Sequence, residues 1–188
     1  MRFGRLCVLA VFLAAPGACA AAAFVLDTER RGEAIEIVAR AEIRTDAEHA
    51  WAVLTAYERY AEFIPDVATS RVVTRNGSTL VLDLTGAVRV LWWREPLAVR
   101  LAVSETAPRR VRSRMISGTL QALEGQYELA RAPGGVRLTY TGRIVPDSRR
   151  RGLLDRFIVH LNVSRQFGAL VAEIGRAPPP HAARAPGG

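Results

Sequence analysis

The stretch Trp51-Ala52-Val53-Leu54-Thr55-Ala56-Tyr57-Glu58-Arg59-Tyr60-Ala61-Glu62-Phe63-Ile64-Pro65 interrupts, with a helical spacing, the two-residue alternation that runs before and after it. Ala50, Trp51, Leu54 and Tyr57 recur at helical spacing. Glu58-Arg59 marks a break, and Tyr60 to Ile64 reads as a second short helix that Pro65 stops. Ahead of it, Thr45-Asp46-Ala47-Glu48 reads as a capping box, with the Thr45 hydroxyl and Glu48 carboxylate serving the orphan N–H groups of the helix start. Further upstream Glu33 to Arg44 alternates, Ile35, Ile37, Ala39, Ala41 and Ile43 on one face against Glu36, Arg40, Glu42 and Arg44, which is a half-buried strand. The residues just before it read as a short exposed start.

From Val67 the period is two. Val67 to Arg75 ends at the hairpin signal Asn76-Gly77. The next strand, Thr79 to Val90, puts Leu80, Leu82, Leu84, Gly86 and Val88 on one face. Pro96 reads as an interruption, after which Leu97, Val99, Leu101 and Val103 form a further apolar face. Pro108 marks a turn before Arg109 to Ser117. Leu123, Gly125, Tyr127 and Leu129 alternate with acids and Gln126, and after Pro133-Gly134-Gly135 the last strand carries Val136, Leu138, Tyr140, Gly142 and Ile144. Leu153 to Ile174 reads as a long helix stopped by Gly175 and Pro178-Pro179-Pro180. The expected fold class is α+β, one antiparallel sheet with helices on one face.

The ends of the chain read differently. Met1 to Arg5 is basic, Leu6 to Ala15 apolar and Ala18-Cys19-Ala20 small, the pattern of a cleaved export signal. Its apolar run is shorter than the ~20 residues a membrane span needs. The alternatives are an uncleaved anchor and a lipoprotein acylated at Cys19, against which Pro16 stands where such signals carry Leu. Both cysteines, Cys7 and Cys19, lie in this segment, so cleavage after Ala20 leaves neither disulfide nor thiol chemistry. Residues 1–20 are thus expected to be a signal peptide, 33–175 the domain and 176–188 a disordered Pro/Ala/Arg tail, with an exported, periplasmic destination. All 26 basic residues are arginine, against 18 acids. Such a surface suits an anionic membrane surface or an ordinary solvated exterior. Nucleic acid is excluded as a partner because the arginines are scattered without interleaved aromatics or a binding module.

With these residues in this order, the chain resembles the START-like helix-grip superfamily, nearest to the polyketide cyclase/dehydrase and coenzyme Q-binding START-like proteins. The segment Trp51 to Pro65 carries most of the likeness, with Ala61 where the family often has proline. Gly118-Thr119-Leu120, Gly125-Gln126-Tyr127-Glu128-Leu129 and Gly135-Val136-Arg137-Leu138-Thr139-Tyr140 add to it, and the resemblance spans roughly residues 33–175. It implies a helix-grip fold, a curved antiparallel sheet with two short helices wrapped around a long C-terminal helix. It also implies an apolar pocket between sheet and helix, holding a lipid, quinone or polyketide-like molecule.

On that basis Trp51, Leu54, Tyr57, Trp92, Tyr127, Tyr140, Phe157 and Leu161 are the expected ligand-binding residues. Trp92 belongs to the set because the parity of Val88 and Val90 turns it inward and Trp93 outward. Ser164, Gly168 and Gly175 form a small-residue stripe on the helix that either enlarges a cavity or permits close packing. Arg110, Arg112 and Arg114 line one sheet face, and Arg149-Arg150-Arg151 precede the helix; each row is either a solvated face or a grip for phosphate headgroups. No catalytic cluster, cofactor motif or metal-ligand spacing is present. The leading expectation is an exported binding or transfer protein for a hydrophobic ligand. The alternative is a cyclase or dehydratase using an acid/base pair such as His160 with Tyr127 or Tyr140. The oligomeric state is not legible.

Overall fold

The alternation of Ile35 to Ile43 becomes strand β2 (Ala34–Ile43), with all five apolar members buried. The computed structural model describes residues 23–149, 152 and 154–176; the expected signal segment, the tail beyond Arg176, Arg150, Arg151 and Leu153 lie outside them. Before β2 stands a strand that replaces the expected exposed start, β1 (Phe24–Arg31). A turn with Gly32 at φ +61° joins it to β2. Its inward positions are Phe24, Leu26, Thr28 and Arg30, too polar a set to signal a strand by hydrophobicity alone.

Three short elements follow: α1 (Ala47–Leu54), a 3-10 turn (Tyr57–Arg59) and α2 (Tyr60–Phe63). The cap of α1 is Asp46, not Thr45, its carboxylate accepting from the His49 backbone N–H at 2.7 Å. That donor holds the Asp46 carboxyl below the ordinary carboxylate range. A group with a depressed folded pKa stabilises above its unfolded value and loses that contribution as pH falls through the folded one. Asp46→Ala is therefore expected to destabilise at neutral pH, with the gap from the parent narrowing as pH falls below the ordinary carboxylate range. Urea unfolding at a series of pH values checks it; a gap independent of pH would contradict it.

The remaining strands are β3 (Val67–Asn76), β4 (Thr79–Val90), β5 (Trp93–Thr106), β6 (Arg110–Gly118), β7 (Ala122–Ala132) and β8 (Gly135–Val145). They form one antiparallel sheet in the order β1-β2-β8-β7-β6-β5-β4-β3. Pro96 does not interrupt it. It lies inside β5 opposite Ala87, and β6 pairs with β5 only from Val99 onward. Ala98 turns its N–H toward the β6 side, to Thr119 Oγ1, so the proline nitrogen two residues back faces a side with no strand to serve. The arginine row of β6 faces outward and pairs with β7: Arg110 with Glu128, Arg112 with Gln126 and Arg114 with Glu124. It is a solvated ladder of pairs.

Helix α3 (Arg156–Ile174) starts at an Asp155 cap that accepts from the Ile158 N–H at 2.8 Å. It lays Ile158, Val159, Asn162, Phe167, Leu170, Val171 and Ile174 toward the sheet, packing against β1, β2, β4 and α1. The core lies between this face and the inward side chains of β2, β4, β5 and β8.

Candidate functional site: the interior between sheet and helix

Because α3 lies over β1 and β2, the inward positions of the central strands are covered unevenly. Val103, Val111, Leu129 and Leu138 are buried, whereas Met115, Leu123, Tyr127, Tyr140 and Ile144 on the same face are only half-buried. The two tyrosines define the place. Their rings are 4.7 Å apart on paired positions of β7 and β8. Gly142 and Gly125 beneath them give the Tyr140 ring its seat, since a Cβ on either would press into it. Burial pushes the Tyr140 phenol up to about 12 and the Tyr127 phenol well above its ordinary value. Both rings nevertheless keep accessible surface, which a close-packed interior would not leave. The two rings are thus set deep on the sheet face and yet can be reached by a guest. Among the described residues neither hydroxyl is held by a protein hydrogen-bond partner, so both are free to donate to a guest.

Further aromatic residues belong to the same interior. Tyr57, Tyr60 and Phe63 form an edge-to-face chain with centroid spacings of 5.7 Å. The Tyr57 hydroxyl donates to Glu105 at 2.9 Å, Glu105 in turn receives Arg75, and Tyr60 donates to the Leu54 carbonyl at 2.6 Å. Burial first, then the Glu105 carboxylate, raises the Tyr57 phenol; burial raises Tyr60. These two hydroxyls are occupied structurally, unlike those of Tyr127 and Tyr140.

The far side of the grip is fastened by polar groups that sequence reading did not single out. Strand β3 leaves β4 after the Val67–Gly86 pair, so the edge of β4 beyond it lacks a strand. The Asp66 carbonyl accepts from Ala87 N–H at 2.9 Å. Two residues on, the Asn162 side chain of α3 accepts from Arg89 N–H and donates to Arg89 O, both at 2.9 Å. One amide side chain thus stands in for a strand's peptide group. Asp66, at φ +64°, has its carboxylate 2.8 Å from Arg165, 3.1 Å from Arg94 and 3.7 Å from Arg89.

The structure divides the eight expected ligand-binding residues. Tyr127, Tyr140 and Trp51 pack half-buried against the core. Leu54 and Tyr57 are core residues, fully enclosed. Trp92, Phe157 and Leu161 are corrections: they are 83%, 58% and 43% exposed and do not face the sheet. The parity that would have carried Trp92 inward stops at Val90, because Val90 pairs with Trp93 and Leu91-Trp92 form the hairpin tip. On α3 the inward face runs through Ile158 and Asn162, one residue after Phe157 and Leu161, a rotation of about 100°. The small-residue stripe resolves as close packing at Gly168, where the Phe24 ring of β1 leaves no room for a Cβ without adjustment. His160 Nδ1 is shared with Thr28 Oγ1 of β1 at 3.2 Å, so it is engaged away from the tyrosine pair. A hollow of about 920 Å³ is lined mainly by outward members of the strands, including Glu36, Arg112, Arg114 and Arg143, and reaches Gly125 and Gly142. Their charges are largely paired across strands.

A family model described as polyketide cyclase / dehydrase and lipid transport matches residues 43–185. None of the curated proteins matches the sequence. Among solved structures, the chain is similar to a STAR-related lipid transfer protein from Xanthomonas axonopodis, with a TM-score of 0.69 and 16% identity over 81% of this chain and 94% of that one. It is also similar to the Zhui aromatase/cyclase from Streptomyces sp. R1128 (TM-score 0.59, 17% identity, 76% and 91% covered). A START superfamily protein from Mycobacterium smegmatis gives a TM-score of 0.53 at 14% identity, with 73% and 97% covered. At these identities the likeness establishes the helix-grip α+β fold.

Proposed function

Since the chain belongs to the polyketide cyclase/dehydrase and lipid transport family, we propose that it binds a hydrophobic molecule (a lipid, quinone or polyketide-like compound) beside Tyr127 and Tyr140 and carries it without chemical change. The observation behind this reading is the pair of deep tyrosines whose rings keep accessible surface and whose hydroxyls, among the described residues, have no protein partner. An apolar guest replaces water against Met115, Leu123 and Ile144, and an oxygen on the guest accepts from the phenols. Transfer is favoured over cyclisation by the placement of His160: a histidine tied to Thr28 is not paired with either tyrosine as acid and base.

Native mass spectrometry of protein purified from its own compartment tests the proposal, with a co-purified apolar ligand as the expected result. Protein that is consistently empty, and that takes up no lipid or quinone after delipidation, would sink it. Tyr127→Phe combined with Tyr140→Phe is expected to weaken an oxygen-bearing ligand by about tenfold, the worth of one or two neutral hydrogen bonds. Binding of a pure hydrocarbon probe should be unchanged, as fluorescence displacement would read.

The carrier is further proposed to act outside the cytoplasm, at an anionic membrane surface. Support comes from the basic, apolar and small-residue order of residues 1–20 and from an excess of arginine over acid. The N-terminal residue of the natural protein tests export, with Ala21 expected.

A further inference from the structure

The β4–β5 hairpin turns on Leu91 and Trp92, between the paired residues Val90 and Trp93. Leu91 has φ +49°, a conformation that two-residue turns normally give to glycine. Leu91 is 63% exposed and Trp92 stacks edge-on against Trp93 with centroids 5.5 Å apart, itself an exposed residue. A leucine in the left-handed region costs about 1 kcal/mol, and exposing these three side chains forgoes their burial. Among the described residues, the edge-on contact of the two indoles is the ring packing found at the tip.

The tip does not stand alone. The bonds from Asn162 to Arg89 hold the adjoining end of β4 against the first half of α3. Phe157 and Leu161, four apart and so on one helix face, are the exposed apolar residues of that half. Beneath the tip, Arg89, Arg94 and Arg165 gather on the single carboxylate of Asp66. Even counting Glu95, the chain neighbour of Arg94, three guanidiniums stand against two acids, and the collar keeps net positive charge. Indoles above arginines is the arrangement that suits a bilayer interface, with rings at headgroup depth and guanidiniums on phosphate.

We infer that Leu91, Trp92, Trp93, Phe157 and Leu161, with the arginine collar, form the surface by which the protein docks on an anionic phospholipid bilayer. This rests on the transfer reading and adds the place of contact: the clasp between β4 and α3, where the grip would part to admit a lipid, is then set against the membrane.

Flotation with phosphatidylcholine vesicles, with and without phosphatidylglycerol, tests it. The parent protein is expected to float with the anionic vesicles, to float less as salt rises, and to show a blue shift of tryptophan emission. Leu91→Gly with Trp92→Ser should lower the partition by about tenfold or more, judged from the apolar area withdrawn. Phe157→Ser with Leu161→Ser should do the same from the helix side. All four positions are exposed, so circular dichroism and melting should be unchanged or, for Leu91→Gly, improved.

Three outcomes overturn the inference: no binding to anionic vesicles, equal binding by the variants, or a concentration-dependent dimer of the parent abolished by the same substitutions, which would assign the patch to a second copy. Ligand occupancy by native mass spectrometry is read on the same samples. Vesicle binding by empty protein would leave docking intact and remove the ligand proposal; loaded protein that ignores vesicles would do the reverse.

Discussion

Gly86→Ala is expected to lower stability by about 3 kcal/mol, which at this chain length shifts the melting midpoint by on the order of 10 °C. The reason is the path of the chain after α2. Pro65 and Asp66 turn across the inner side of β4, and a Cβ on Gly86 would overlap the Asp66 carbonyl oxygen, a backbone atom unable to rotate away. That carbonyl accepts from the neighbouring Ala87 N–H, so the loop cannot retreat without breaking the bond that seals the β4 edge. Retreat would also pull the Asp66 carboxylate, 2% exposed, from its arginines. Those guanidiniums are more than a third exposed, so their screened attraction adds little to the estimate. Thermal and urea unfolding of the variant provide the measurement. A loss below about 1 kcal/mol would mean that the loop does not cross the strand this closely.

Asn162→Ala is expected to cost about 2–3 kcal/mol. Its amide makes three hydrogen bonds, to Arg89 N–H, Arg89 O and Ile158 O, each worth roughly 1 kcal/mol net. It is among the few buried polar residues described. Since this side chain hydrogen-bonds α3 to the backbone of β4, the effect should extend to the guest: dissociation of a bound ligand should accelerate. Stopped-flow transfer of a fluorescent lipid analogue to acceptor vesicles reads the rate, and denaturant unfolding reads the stability. A variant with parental stability and release would show that the clasp is not what holds the grip shut.

The sheet and the long helix could be read from the sequence because each announces itself locally. Strands β2, β4, β7 and β8 alternate with few exceptions, and Asn76-Gly77 marks its turn, with Gly77 at φ +56°. What escaped reading depends on distant partners. Strand β1 carries Thr28 and Arg30 on its inner face, and it is a strand because β2 and α3 are beside it. The turn at Leu91-Trp92 contains no glycine, asparagine or proline, so alternation seemed to continue through it. The clasp joins Asp66, Arg89 and Asn162 across long intervals of chain, and no single-residue pattern encodes such a meeting. The tyrosine pair was legible as inward-facing, but its lack of hydroxyl partners is a matter of three-dimensional surroundings. Phe157 and Leu161 were read as part of an apolar helix, which they are; one residue of rotation decides which side they serve.

The contact between β1 and α3 has a consequence in time. The Phe24 ring meets Phe167 at 5.4 Å and Thr28 meets His160, so the first and last described elements of the chain complete each other. During synthesis the early strands must wait, with one flank uncovered, until α3 has left the ribosome. Folds closed by such distant contacts form slowly. For a chain proposed to leave the cytoplasm, that delay is useful: a domain that cannot close until α3 arrives stays open longer, and an open chain is the form that can be threaded through a channel.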